Sequence, residues 1–196
     1  MINGKKIVVV LPAYNAAKTH RVLYISGEES VRQVGLRAQR LGTTHKDLQL
    51  AVSGVANDIA TTISGGDYDV VIVDSVQAVA LNELAGAPGT VSQITGSTQL
   101  LSAAAKASNT ALILVGHVTK EGSIAGPKVL EHVVDVVLQL EGDRYGGFKI
   151  LRASKNRYGA TTEAGIFEMT DKGLQAVNNP SEALLAERQV SDGSIV

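Results

Sequence analysis

Four short apolar runs punctuate the chain from its first third to its middle: Val22 to Ile25, Leu48 to Val52, Val70 to Val73 and Ala111 to Val115. Each is rich in β-branched or aliphatic residues and bounded by polar or glycine-containing segments, the pattern of a buried strand. Between the first two, Val31, Val34, Ala38 and Leu41 recur at spacings of three and four, with Arg32, Arg37 and Arg40 between them and Gly42 placed to end the turn. This predicts an amphipathic helix. Ser53 is placed to cap a second helix carrying Val55, Ile59 and Ile63, and Thr98 to Ala107 predicts a third. Strands alternating with helices imply right-handed crossovers and a mostly parallel sheet flanked by helices, an α/β fold whose ligand crevice lies at the strand C-termini. Beyond Gly116 the pattern changes. Val133 to Leu140, Phe148 to Ala153 and Gly165 to Met169 are separated by turn residues such as Gly142-Asp143 and Tyr158-Gly159, which predicts C-terminal antiparallel hairpins appended to the sheet.

Composition narrows the class without deciding it. A chain of 196 residues that is 44% hydrophobic can bury one sizeable core, and a single domain is expected. With no cysteine there is no disulfide framework, cysteine zinc site or thiol nucleophile. The run Ile7 to Leu11 is too short for a signal-peptide core or a membrane span, so a cytoplasmic protein with no membrane partner is expected. A net charge of −1 supplies no general attraction to nucleic acid. DNA binding would have to come from local clusters of Lys and Arg.

The chemistry-bearing residues fall at strand ends. Asp74 closes the third run, with Ser75 beside it, Glu28 follows the first strand and opens the first helix, and His117 follows the fourth strand. Taken alone, Asp74 reads equally as a metal-ordering carboxylate or a polar strand end, and Glu28 as a base or a favourable charge at a helix N-terminus. Longer stretches add to this: Tyr24-Ile-Ser-Gly-Glu-Glu-Ser30, Val70-Val-Ile-Val-Asp-Ser-Val-Gln77, Val115-Gly-His-Val-Thr-Lys-Glu-Gly-Ser-Ile-Ala-Gly-Pro-Lys-Val-Leu-Glu-His132, Ala87-Pro-Gly-Thr-Val-Ser-Gln93, Lys155-Asn-Arg-Tyr-Gly159 and Asn179-Pro-Ser-Glu182. The first three, in this order, resemble the bacterial RadA (Sms) DNA-repair family, and the other three extend the resemblance, over roughly residues 21 to 190.

The resemblance implies a RecA-like ATPase core of the P-loop NTPase type, working on single-stranded or branched DNA as a homo-oligomeric, hexameric ring, with ATP and Mg²⁺ as cofactors. By the same resemblance Asp74 is the metal-ordering carboxylate and Glu28 the base acting on water, with Glu29 ranked behind it. His117 is the polar sensor of the γ-phosphate, and Lys155 and Arg157 reach the nucleotide of a neighbouring copy. Lys120 and Lys128 then contact DNA phosphates from the loop Thr119 to Lys128, and Ala87 to Gln93 is a companion loop. Full-length members of the family also carry a four-cysteine zinc module and a Lon-protease-like domain. Neither is in this sequence, so a core region is expected, with residues 1–20 an atypical N-terminal segment, 21–190 the core and 191–196 a frayed tail.

One departure bears on activity. A phosphate loop needs G-x-x-x-x-G-K-[ST] between a strand and a helix, and no such string occurs here. Lys18-Thr19 survive as a pair for nucleotide binding, but Pro12 and Ala17 stand at the two glycine positions, and proline has no N–H to turn toward phosphate. From Thr19 to the strand at Val22 there is no room for the following helix. The expected function is a RadA-like ATP-dependent DNA motor core, deficient in hydrolysis. The alternative is an inactive DNA-binding or assembly fragment that joins intact homologues. The opening Lys6 to Lys18 also looks like the start of a family 2 glycosyltransferase, but the Asp67-Tyr-Asp69 spacing precedes a strand where a nucleotide-sugar site needs it to end one.

Overall fold

The computed structural model describes residues 12–117, 129–142, 147–170 and 173–177. The chain divides into two compact units, one holding the described residues up to Val134 and the other those from Asp135 onward.

In the first unit a four-stranded parallel sheet runs in the order β2-β1-β3-β4, with β1 Val22–Ser26, β2 Leu48–Val52, β3 Val70–Asp74 and β4 Ala111–Val115. The register sets Ser26 beside Val52 and Asp74, and Asp74 beside Val115, so the strand C-termini are level. β1 is buried throughout because both faces are covered, which explains its unbroken apolar run. Its side chains alternate. Leu23 and Ile25 pack with Ile59 and Ile63 of α3 (Ala56–Ser64) and Leu101 and Ala105 of α4 (Val91–Ser108), while Val22 and Tyr24 pack with Val34 and Ala38 of α2 (Val31–Arg40).

The helices start and stop for local reasons, some of which the apolar spacing hides. Ser30 caps α2 in a reciprocal box with Gln33, and Gly42, at a φ of +63°, follows its end in the left-handed region. Ser53 accepts from the Val55 amide at 3.2 Å, but Val55 itself holds the cap position of α3. α4 begins at Val91, a full two turns before Thr98, because polar Gln93 and the small Ser97 and Thr98 are buried where an apolar stripe is expected. Asn109 ends it with a φ of 55°.

A short helix, α1, occupies residues 12–17, where the sequence left no room for one between Thr19 and Val22. It lies upstream of Lys18. Its Ala13 and Ala17 are fully buried against Val22, Tyr24, Val34, Ala38 and Ile72, an i, i+4 pair small enough to let the helix sit close on the sheet. The apolar run Ile7 to Leu11 lies outside the described residues, as do the sequence's last residues and residues 118–128, where a DNA-contacting loop is expected. α5, Val129–Val133, closes the first unit with Leu130 packed on Val76 and Ile94, so the strand expected from Val133 starts at Val136 instead.

The second unit is a four-stranded antiparallel sheet, β5 (Val136–Gly142), β6 (Phe148–Asn156), β7 (Ala164–Thr170) and β8 (Gly173–Ala176), in sequence order. The hairpins therefore build a sheet of their own, where the sequence suggested an extension of the parallel one. A register shift between Val137 and Leu138 marks a bulge in β5.

Candidate functional site

At the level C-terminal edge of the parallel sheet, the ends of β1, β3 and β4 bring together Ser26, Glu28, Asp74, Ser75 and His117. The chain leaves β1 through Gly27, whose amide donates to the Asp74 carbonyl at 2.8 Å. A Cβ on Gly27 would stand 2.8 Å from that of Ala78, so only glycine allows the approach without displacement. Ser26 Oγ then accepts from the amides of Glu28 and Glu29 at 3.3 and 2.8 Å, which turns the loop back over the sheet edge.

Glu28 is the centre of the cluster. Ser75 Oγ donates to its Oε1 at 2.6 Å, and His117 Nε2 lies 3.2 Å from the same oxygen. Glu29 points elsewhere, to a two-oxygen clamp on Arg37 at 2.9 and 2.7 Å, which ties the loop to α2. His117 is itself fixed through its carbonyl, which accepts from Gln77 Nε2 at 3.3 Å.

Beneath Glu28, Asp74 is buried, and Tyr24 Oη donates to its Oδ2 at 2.5 Å. Burial, and next the Asp74 carboxylate, push the Tyr24 phenol far above its ordinary range, so it stays a donor. Asp74 Oδ1 is buried and has no hydrogen-bond partner among the described residues. Such a carboxylate oxygen is costly unless a cation or water serves it, and an oxygen donor at a strand end suits a hard ion such as Mg²⁺. Among the described residues no group of three or more His, Cys, Asp or Glu side chains forms an all-protein metal cage.

Lys18 and Thr19 do not join this cluster. They follow the C-terminal end of α1 and precede β1, at the opposite edge of the sheet, roughly 13 Å of strand away. A helix C-terminus presents carbonyls, the wrong polarity for phosphate. Lys18 Nζ donates to Asn15 at 3.0 Å and sits 4.8 Å over the Tyr14 ring, and Thr19 contacts His20 at 2.7 Å. Lys155 and Arg157 belong to the second unit, Lys155 in β6 and Arg157 just beyond it. Arg157 is held to Asp135 by its amide at 3.1 Å and its guanidinium at 3.0 Å. Lys120 and Lys128 lie outside the described residues.

Sequence reasoning passed over Tyr24 and Gln93. Tyr24 is the one residue of β1's apolar run with a polar tip that must find a partner once buried, and that was its signal. Gln93 is 1% exposed and bonds the Leu81 amide at 2.8 Å and the carbonyls of Leu84 and Gly86 at 2.6 and 3.2 Å, pinning the loop that follows β3.

No family model matches the chain. It is 48% identical over 90% of its length to the DNA repair protein RadA of Brucella abortus and covers 39% of that protein. The RadA proteins of Bacillus subtilis and Listeria monocytogenes align with all of it at 46% and 49% identity, and it covers 43% of each. The chain thus spans about two fifths of the length of these curated relatives. Among solved structures, a KaiC-like protein from Pyrococcus horikoshii superposes with a TM-score of 0.68 at 15% identity, covering 89% of this chain and 84% of that one. The flagellar accessory protein FlaH of Methanocaldococcus jannaschii gives 0.64 at 14%, covering 90% and 85%. The fold is that of RecA-like ATPases, and the chain is a partial RadA-like region.

Proposed function

We infer, from a chain that is a partial RadA-like region on a RecA-like core, that it is the core of an ATP-dependent DNA-repair motor in which the phosphate-binding half of the site is missing and hydrolysis is lost or severely weakened. The observation that carries this is the cluster at the sheet edge: Glu28 held by Ser75 and His117, beside a buried Asp74 one of whose oxygens has no partner among the described residues. Mg²⁺, held through Asp74, would neutralise charge on a transferring phosphoryl group. Glu28 is placed to take a proton from water as general base, and the two hydrogen bonds to its Oε1 fix the orientation of its carboxylate. Tyr24 keeps Asp74 from rotating. His117 ties the base to the start of the loop that follows β4, a route by which DNA at Lys120 and Lys128 would bias Glu28. Lys155 and Arg157 act in trans on a neighbouring copy's nucleotide, and single-stranded or branched DNA passes through a hexameric ring.

What is missing is equally specific. Without the glycine-rich loop no row of backbone amides faces the phosphates, so both ground-state binding and the preorganised dipoles for the transition state are removed. The absent loop also favours a second reading, that the chain assembles with intact homologues and contacts DNA without turnover. An ATPase assay separates these from an active enzyme. The chain as it stands should show no DNA-stimulated hydrolysis, and installing G-x-x-x-x-G-K-[ST] with a full following helix should restore it. Asp74→Asn or Glu28→Gln in that restored protein should abolish turnover again. Steady hydrolysis by the unaltered chain, stimulated by DNA, overturns the proposal.

A further inference from the structure

The turn that leaves β1 carries two carboxylates side by side, and the fold treats them differently. Three consecutive side chains depart in three directions: Glu28 to Ser75 and His117, Glu29 to Arg37 of α2, and Ser30 to Gln33 as the helix cap. On the backbone side, the amides of Glu28 and Glu29 share one acceptor, Ser26 Oγ, at 3.3 and 2.8 Å. That hydroxyl serves both residues alike, so the side-chain partners are what tell them apart. Arg37 Nη2 donates to both oxygens of Glu29, the two side chains being 14% and 22% exposed. An ion pair this sheltered is a weak source of stability, because removing both charges from water offsets their attraction. Arg37 Nη1 adds to that cost, since it is buried and has no hydrogen-bond partner among the described residues. Two apolar side chains would fill the same space without either cost, but they would not hold a carboxylate in one direction, as a charged fork does.

We propose that Arg37 is a positioning residue that selects which of two adjacent glutamates serves as the base: by holding Glu29 against α2 it keeps the second carboxylate away from Ser75 and His117 and leaves that place to Glu28. The inference rests on the reading of Glu28 as base given above. Arg37 is also near the groups beneath the turn. The Tyr24 phenol is raised by burial and by Asp74, and the Arg37 charge acts on it in the opposite sense to a smaller degree. With Arg37 gone, Glu29 loses its clamp, and two carboxylates one residue apart compete for the same two partners.

The ring nitrogens of His117 report the outcome in the chain as it stands. Their NMR signals, assigned as those that vanish in His117→Asn, should move in Arg37→Met as Glu29 enters. They should return toward the parent position in Arg37→Met combined with Glu29→Gln, which removes the competitor. Spectra are taken well below the melting midpoint of each variant, so that a lost fold is seen as melting and not as a moved signal. Arg37→Lys, which keeps the charge without the planar fork, should move the signals the same way by less, and it serves if Arg37→Met does not fold. Parent-like His117 signals in a folded Arg37→Met chain overturn the proposal, as do displaced signals that Glu29→Gln fails to return. In the protein with a restored phosphate loop, Arg37→Met should lower kcat about tenfold, a share of what a general base contributes, with KM for ATP little changed, and the double variant should recover most of the loss. Full kcat in Arg37→Met overturns the selection of the base. Hydrolysis that survives Glu28→Gln overturns the reading of Glu28 instead, while the His117 signals still decide whether Arg37 keeps the two carboxylates apart.

Discussion

Buried polar groups decide the residue scale, because each has a definite partner or is conspicuous for lacking one. Tyr24→Phe removes the donor to Asp74 Oδ2 and leaves both carboxylate oxygens, in a buried site, without a partner among the described residues. The loss should be about 1–3 kcal/mol of stability, read as a lower urea midpoint with an unchanged m-value. Asp69 gives a pH test at the other end of the sheet. Hydrogen bonds from the Arg21 side chain and amide hold its carboxyl down at about 2, below the ordinary 3.8. A depressed carboxyl stabilises above its ordinary value, and that contribution is lost as pH falls through about 2. Arg21→Ala should therefore return the Asp69 titration, followed by carboxyl NMR, toward 3.8, and the variant should differ from the parent at neutral pH but not at pH below 2. That Glu28, Asp74 and His117 lie at one edge of the sheet was legible, because each falls at or just after the end of an apolar run. That Ser75 and His117 share one oxygen of Glu28 was not, since it depends on three strands ending level.

Elements were legible where one face is apolar and obscure where small or polar residues do the packing. Ser30 and Gln33 form a reciprocal cap readable from spacing, and Ser30→Ala should cost about 1 kcal/mol in a denaturant titration. The first turns of α4 were invisible because Gln93, Ser97 and Thr98 are buried without being hydrophobic. Gln93 works on the loop rather than on the helix. Gln93→Leu should leave α4 intact yet strip the Leu81 amide of its acceptor, so hydrogen exchange at Leu81 should accelerate strongly while the amides of mid-helix Leu101 and Ala105 keep their protection. Equal acceleration at all three would mean the loop and helix open together. α1 is not legible from apolar periodicity, because the residues it buries against the sheet are small, the alanines at positions 13 and 17.

At the scale of the whole molecule, the parallel sheet followed from alternating strands and helices, but neither its order β2-β1-β3-β4 nor the separate antiparallel sheet did, since hairpin signals do not say which sheet they join. The function depends on an element of the same scale, the strand, loop and helix that should face the cluster at Glu28. A ligand that binds only the folded chain stabilises it in proportion to the logarithm of its concentration over Kd, about 2.7 kcal/mol at a hundredfold excess. For a chain of this size each kcal/mol raises Tm by about 2–4 °C, so a competent ATP site saturated to that degree should shift melting by about 5–10 °C. The chain as it stands has Lys18 and Thr19 at the far edge of the sheet, where they cannot add to binding at Asp74 and Glu28. Millimolar ATP with Mg²⁺ should therefore leave its melting unchanged, and the loop-restored protein should show the full shift, lost again on Lys→Ala within the new loop. A shift of several degrees in the unaltered chain would mean that phosphates find another cradle, and Asp74→Asn would then show whether it lies at this edge: a shift that survives the substitution places it elsewhere.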